Sequence, residues 1–206
     1  MIRVFCGGPN AFLANAEHYT HSASYMKKAC DLAAASEVKI LVEIHNNSLV
    51  ESAEQAMKMC DLVGRDNLGF IHDAGNMFIS GSDYGAESVE ILGKRLLHVH
   101  VKGESRAPAD FSENQTSDEL SENQTSDELS GRQNCFYDKT IRGEELFCHT
   151  LLKDSEADHR SLFEALEKAG YQGWYSLECG MDMEFEKMLV EEVAEVERIN
   201  KSLGIL

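Results

Sequence analysis

The stretch Lys39–His45, with the sequence KILVEIH, decides how the rest of the chain is interpreted. Its apolar run is short for a helix and is typical of a strand that a parallel sheet buries on both faces. Glu43 and His45 stand two positions apart at its carboxyl end, so a strand places both side chains on one face. A buried carboxylate has no low-cost structural role there, and it indicates a functional site.

Similar strand-like stretches occur on either side of this one, with helix-like spacing between them. The other predicted strands are Ile2–Cys6, Leu68–Asp73, Arg95–Lys102 and Trp174–Glu178. Helices are expected at Ser22–Ser36, Gly85–Gly93, Asp158–Ala169 and Phe185–Leu203. Ser48 and Glu51 predict a capping box that opens one more helix, ending near Gly64. This alternation predicts an α/β fold made of parallel βαβ units.

The 206 residues carry a formal net charge of −17, with 43% hydrophobic and 27% charged residues. This length and composition predict one domain over residues 1–206. The negative charge argues against binding to nucleic acid or to an anionic membrane. No apolar run reaches the roughly 18 residues that span a bilayer and no signal peptide is recognisable, so we expect a cytoplasmic protein. Six scattered cysteines without a C-x-x-C pair predict reduced thiols.

Residues 107–157 show little periodicity, and they contain one nonapeptide twice, SENQTSDEL at 112–120 and again at 121–129. The repeated unit is acidic and lacks aromatic and β-branched apolar residues, so it offers nothing to a hydrophobic core. We therefore expect a solvated, disordered acidic insertion at about residues 107–134.

Ionisable side chains recur at the carboxyl ends of the predicted strands. They are Glu43 and His45, Asp73, His98 and His100, and Glu178. At the carboxyl edge of a barrel such residues indicate a site. Two glutamates, one aspartate and one histidine form a hard set of ligands that suits Mn²⁺, Mg²⁺, Co²⁺ or Zn²⁺. Because three neighbouring carboxylates repel one another without a cation, we expect one divalent metal as cofactor.

Four motifs together resemble the xylose isomerase-like TIM-barrel superfamily, the sugar phosphate isomerase and epimerase group. They are LVEIHNN around Glu43, IHDAGN around Asp73, HVHVKGESR around His100 and GYQGWYSLE ending at Glu178. The resemblance implies a (β/α) barrel of parallel strands and outer helices. It also implies a metal held by Glu43, Asp73, His100 and Glu178, with Glu43 and Glu178 as the acid/base pair on opposite sides of the substrate.

The same resemblance suggests the residues that contact substrate. His98 and Arg106 fall where related epimerases hold substrate oxygens, and His45 is a further candidate contact. His98 and His45 fit equally well as hydrogen-bonded core residues. Arg106 fits as well as a solvated residue at the mouth of a loop.

The implied chemistry is proton transfer on a hydroxy-carbonyl sugar or related polyol. A divalent ion stabilises the enediolate that forms when one glutamate removes the α-proton. Return of the proton to the same carbon gives an epimer, and return to the neighbouring carbon gives an isomer. Loss of a β-hydroxyl gives dehydration, as in the inosose and dehydroshikimate dehydratases that the sequence also resembles. We expect an isomerase or epimerase, with a dehydratase as the alternative.

Several positions depart from the family pattern. Asn76 stands where many relatives carry His, and Gly103 stands where they carry Asp. The first departure and the acidic surface argue against the abasic endonuclease branch with three zinc ions.

The start of the chain departs as well, because Ile2–Cys6 resembles the family's third strand. About six of eight units are then expected, with the first two units missing. A late gene start, a fragment or a homo-oligomer that assembles around the gap would each explain this. An inactive truncated remnant is the alternative to an enzyme.

Overall fold

The computed structural model describes residues 1–107 and 134–205. These residues form two compact units, and each is described by itself. The first unit comprises residues 1–101 and 159–176, and the second comprises the described parts of 102–158 and 177–206. The predicted disordered insertion, with its duplicated nonapeptide, lies outside the described residues.

The described residues contain eight strands and six α-helices. The strands are Ile2–Val4 (β1), Ile40–Glu43 (β2), Leu68–Asp73 (β3), Leu96–Val101 (β4), Gly103–Arg106 (β5), Cys135–Thr140 (β6), Gly143–Thr150 (β7) and Tyr175–Leu177 (β8). The helices are Ala16–Ala34 (α1), Ala53–Val63 (α2), Ala74–Ser80 (α3), Ala86–Leu92 (α4), His159–Lys168 (α5) and Phe185–Leu203 (α6). Short 3-10 turns cover Ala11–Leu13, Gly93–Arg95 and Leu152–Asp154. None of these helices is long and apolar enough to cross a membrane.

The main sheet has the strand order β1-β2-β3-β4-β8; its first four strands are consecutive in the chain, whereas β5, β6 and β7 intervene between β4 and β8. The pairs β1–β2, β2–β3 and β3–β4 are parallel. Every residue of β2 and β3 is buried, as the continuous apolar runs predict for a parallel sheet. The α/β fold class is therefore confirmed, and the carboxyl ends of β2, β3 and β4 lie side by side.

Helix α2 begins one turn later than predicted. Its N-cap is Ser52, whose hydroxyl accepts a hydrogen bond from the backbone N–H of Gln55. The Ser48 hydroxyl instead donates to the carbonyl of His45, so the prediction of a capping box at Ser48 is wrong. The predicted end is confirmed, because Gly64 caps the helix in the left-handed conformation that glycine favours.

The second unit contains a three-stranded antiparallel sheet in the order β5-β7-β6. The sequence analysis found little pattern here, and that interpretation is wrong for residues 135–150. Phe147 on β7 is wholly buried, whereas most of its neighbours on the strand are polar. Cys135 and Cys148 lie opposite one another on β6 and β7 and are joined by a disulfide. The prediction of reduced thiols is therefore wrong for these two cysteines.

Candidate metal centre

Three of the predicted ligands lie at the carboxyl ends of neighbouring strands in the first unit. Glu43 is the last residue of β2, and Asp73 is the last residue of β3. His100 on β4 pairs with Asp73 in the parallel register. The sheet therefore brings these side chains to one edge, as the strand-end pattern predicts.

The three side chains form a tight group. His100 Nδ1 lies 3.2 Å from Glu43 Oε1 and 3.5 Å from Asp73 Oδ2. Each residue offers a ligand atom within 4.8 Å of those of the others. Both carboxylates are wholly buried, and His100 is 6% exposed. Two buried carboxylates beside one imidazole offer oxygen and nitrogen ligands, so the group fits a divalent cation.

Two residues that the sequence analysis did not assign to the site hold these carboxylates in place. The Asn76 backbone N–H donates to Asp73 Oδ1 at 2.8 Å, and its side-chain amide donates to Glu43 Oε1 at 3.2 Å. The Arg3 guanidinium forms an ion pair with Glu43 Oε2. Asp73 is the N-cap of α3, so its spacing to Asn76 was a usable signal. The basic Arg3 between the apolar residues Ile2 and Val4 was another such signal.

His98 lies beside this group, where its Nε2 is 2.8 Å from the Ser176 hydroxyl. Its ring meets that of His100 edge-on, with centroids 5.4 Å apart. Burial lowers the pKa of His98, and the neighbouring His100 lowers it further. His98 is therefore a neutral hydrogen-bonding group near neutral pH.

His45 is placed differently, two residues after Glu43. Its ring packs edge-on against Phe5 with centroids 5.2 Å apart, and its Nδ1 lies 2.5 Å from the Asn46 carbonyl oxygen. The ring is half-buried. These contacts give His45 a structural role, and its predicted substrate contact stays a prediction.

Glu178 and Arg106 belong to the second unit. Glu178 follows β8 directly, and its Oε2 lies 3.4 Å from Nζ of the largely buried Lys102. Arg106 ends β5 and forms an exposed ion pair with Glu156 at 3.2 Å. The sequence analysis did not single out Lys102, although its position directly after β4 and two residues after His100 was a signal.

A family model described as xylose isomerase-like TIM barrel matches residues 2–199. Among curated proteins, an inosose dehydratase from Geobacillus thermodenitrificans is 24% identical over 155 residues, which is 74% of this chain and 44% of that protein. The rhizopine catabolism protein MocC from Rhizobium meliloti is 29% identical over 165 residues, 77% of this chain and 43% of that protein. The chain thus spans less than half the length of these two relatives.

Solved structures share the fold at lower sequence identity. The probable 3-DHS dehydratase AsbF from Bacillus anthracis has a TM-score of 0.68 at 17% identity, covering 95% of this chain and 62% of that one. An L-ribulose 3-epimerase has a TM-score of 0.66 at 15% identity, covering 98% and 62%. A protein from Mycobacterium smegmatis in complex with magnesium has a TM-score of 0.59 at 13% identity, covering 92% and 53%. These likenesses confirm the barrel-type fold.

Proposed function

Because the chain belongs to the xylose isomerase-like TIM barrel family, we propose that it is a metal-dependent enzyme that moves a proton next to a carbonyl group. Its substrate is a small sugar or polyol. The observation that carries this proposal is the convergence of Glu43, Asp73 and His100, two buried carboxylates and an imidazole, at the carboxyl edge of the sheet.

The proposed metal ligands are Glu43, Asp73, His100 and Glu178. The first three already lie within reach of one ion, and Glu178 follows the last strand of the same sheet. A divalent cation held there would supply the positive charge that stabilises an enediolate. Mn²⁺, Mg²⁺, Co²⁺ and Zn²⁺ all accept such ligands.

The chain's own residues would bind the substrate and move the proton. We assign the removal of the α-proton and its return to Glu43 and Glu178, whose carboxylates serve as base and acid in turn. Lys102 beside Glu178 would offset the negative charge that gathers there. His98, His45 and Arg106 are the proposed contacts to substrate oxygens, with His98 as a neutral partner because its pKa is lowered.

Two outcomes follow from the same first step. Return of the proton to carbon makes an isomerase or epimerase, the class of the L-ribulose 3-epimerase that shares the fold. Loss of a hydroxyl group makes a dehydratase. The second outcome is favoured by the similarity to an inosose dehydratase over 74% of this chain.

The test is exchange of the substrate α-proton in D₂O, followed by NMR with Mn²⁺ or a chelator present. Inosose, 3-dehydroshikimate and L-ribulose serve as probes. We expect metal-dependent exchange with at least one of them, and Glu178→Gln should slow it by about 100-fold or more because the acid/base group is lost. The exposed Glu186 supplies a control, Glu186→Gln, that should exchange like the wild type. Exchange by Glu178→Gln near the wild-type rate would contradict the assignment.

A further inference from the structure

The second unit contains another carboxylate–imidazole pair, outside the proposed metal ligands. Glu104 on β5 and His149 on β7 face one another in the antiparallel register. His149 Nδ1 lies 2.8 Å from Glu104 Oε1. The Glu104 side chain is wholly buried, whereas the His149 side chain is 31% exposed. One edge of the pair is therefore anchored in the protein and the other reaches the surface.

Glu104 fixes how the imidazole can act. A carboxylate that accepts the Nδ1–H selects the tautomer in which Nε2 is free to exchange a proton with a ligand. The ring is also held by Phe136, with centroids 4.7 Å apart. The Glu104 backbone is fixed in turn, because its N–H donates to the Ser155 hydroxyl at 3.1 Å. This is the arrangement of an oriented proton-transfer group.

Gly180 lies against the face of this ring. A Cβ atom at Gly180 would lie 2.9 Å from Cδ2 and 3.1 Å from Nε2 of His149, closer than ordinary contact. The backbone of Gly180 is outside the positive-φ region. Glycine is therefore required here because a side chain would collide with the imidazole, and not for its backbone conformation.

The loop that carries Glu178 is tied to the same sheet. Asn134 links the loop to the sheet. Its side-chain Oδ1 accepts from the backbone N–H of Asp182 at 2.7 Å, and its backbone carbonyl accepts from the backbone N–H of His149 at 2.9 Å. Gly180 follows Glu178 by two residues, so roughly 7 Å of chain at most separates their Cα atoms. The imidazole of His149 thus lies beside the segment that holds the proposed acid/base residue.

We propose that His149 is a second proton-transfer group, which protonates a hydroxyl leaving from the carbon next to the deprotonated one. Glu104 is its positioning residue. The inference rests on the proposed function, because the first proton is removed by a glutamate of that site. It selects a ketone with a β-hydroxyl group as substrate and dehydration as the reaction.

The step balances without an added oxidant or reductant. The electron pair of the broken C–H bond forms the new C=C bond as the C–O bond of the β-hydroxyl breaks. The oxygen takes the Nε2 proton of the imidazolium form of His149 and departs as water, which leaves the neutral ring with its Nδ1–H donated to Glu104. The proton held by the glutamate then returns to solvent, and solvent restores the proton on His149.

The accessible imidazole is tested first, without any substrate. Diethyl pyrocarbonate modifies accessible neutral imidazole nitrogens, and mass spectrometry reports the rate at each histidine. We expect His149 to react faster than the wholly buried His72, and Gly180→Ala to slow it by about 10-fold because a methyl group would push the ring away from Glu104 and so make Nε2 less nucleophilic. Gly85→Ala is the control, since its Cβ would meet only one atom at 3.9 Å. An unreactive His149, or no effect of Gly180→Ala, overturns the proposal.

The role in dehydration is tested with inosose and Mn²⁺ in D₂O, where α-proton exchange and loss of water are measured together. We expect His149→Gln to lower dehydration by about 100-fold while exchange stays within about threefold of the wild type. Glu104→Gln should lower dehydration by about 10-fold, because the ring loses its orientation. An equal loss of both rates in His149→Gln would show a merely structural role and overturn the proposal.

Exchange and dehydration measured on the wild-type chain distinguish the proposed function from the proposed role of His149. Exchange without loss of water would support the proposed function and overturn the role of His149. Absence of both reactions with inosose, 3-dehydroshikimate and L-ribulose would overturn both.

Discussion

The molecule contains two carboxylate–histidine groups that are built differently. In the first unit, two buried carboxylates, Glu43 and Asp73, share the single imidazole of His100. In the second unit, the one carboxylate of Glu104 faces the one imidazole of His149. In each group the imidazole Nδ1 lies within 3.2 Å of a buried carboxylate oxygen. The groups differ in how many ligand atoms they bring together.

We infer from this difference that the first group suits a metal ion and the second suits proton transfer. Burial of a carboxylate is costly unless positive charge and hydrogen bonds compensate for it. One imidazole faces one carboxylate in the second unit, whereas the first unit places two carboxylates and an imidazole within 4.8 Å of one another, with the Arg3 guanidinium on one carboxylate. The positions in the fold agree, because the first group lies at the carboxyl edge of a parallel sheet and the second is a cross-strand pair.

The largest expected effect is on metal affinity after the loss of one carboxylate. Asp73→Asn removes a ligand charge from the first group, so we expect the Kd for Mn²⁺ to rise by about 100-fold or more. Isothermal titration calorimetry measures this directly. The matched change in the second group, Glu104→Gln, should leave the Kd within about threefold of the wild type.

The distinction between the two groups is wrong if Asp73→Asn and Glu104→Gln bind Mn²⁺ with the same affinity. Equal losses of affinity would mean that the second group shares the ion. Unchanged affinity in Asp73→Asn would remove Asp73 from the ligands. A melt with Mn²⁺ against chelator accompanies the titration, because a metal that binds only the folded chain raises its Tm.

The first group could be predicted from the sequence and the second could not. Glu43, Asp73 and His100 interrupt apolar runs at corresponding ends of strands, and parallel strands bring such ends together whatever the details of packing. Glu104 and His149 meet only because β5 and β7 pair in one particular antiparallel register. Nothing local in the sequence specifies that register.

The residues that support the first group were missed for a related reason. Arg3 is on a neighbouring strand, and its reach to Glu43 depends on the packing of two side chains. Asn76 was interpreted as a departure from the family pattern, yet it donates hydrogen bonds to both carboxylates. A residue type can be compared with relatives from sequence, whereas its hydrogen-bond partners depend on the fold.

A smaller effect on metal affinity is expected from the two imidazoles. His100→Ala removes a neutral ligand and leaves the carboxylates, so the Kd for Mn²⁺ should rise by about 10-fold to 100-fold. His149→Ala is the matched change in the second unit and should bind Mn²⁺ like the wild type. Calorimetry on both variants at one pH makes the comparison. Normal affinity in His100→Ala would exclude it as a ligand.

The smallest effect is expected at another buried carboxylate, Glu192 on α6, which has neither an imidazole nor a metal cluster among its described contacts. Its two oxygens accept from the Leu152 backbone N–H at 3.3 and 3.2 Å. Burial raises the pKa of Glu192 from 4.5 to about 7, and the nearby acidic groups of Glu195, Asp154 and Glu191 add to the rise. Near neutral pH this carboxyl group therefore holds a proton that it would release in the unfolded chain.

The raised pKa makes the free energy of unfolding depend on pH. The folded state binds the extra proton between pH 4.5 and about 7, so stability falls as pH rises through that window and stays low above it. The loss is at most roughly 3 kcal/mol. Glu192→Gln keeps a neutral side chain at every pH, so we expect urea unfolding to show a smaller loss of stability from pH 5 to pH 8 than in the wild type. The exposed Glu186→Gln should keep the wild-type dependence, and an unchanged dependence in Glu192→Gln would mean that this carboxyl group is ionised in the folded state, like an exposed one.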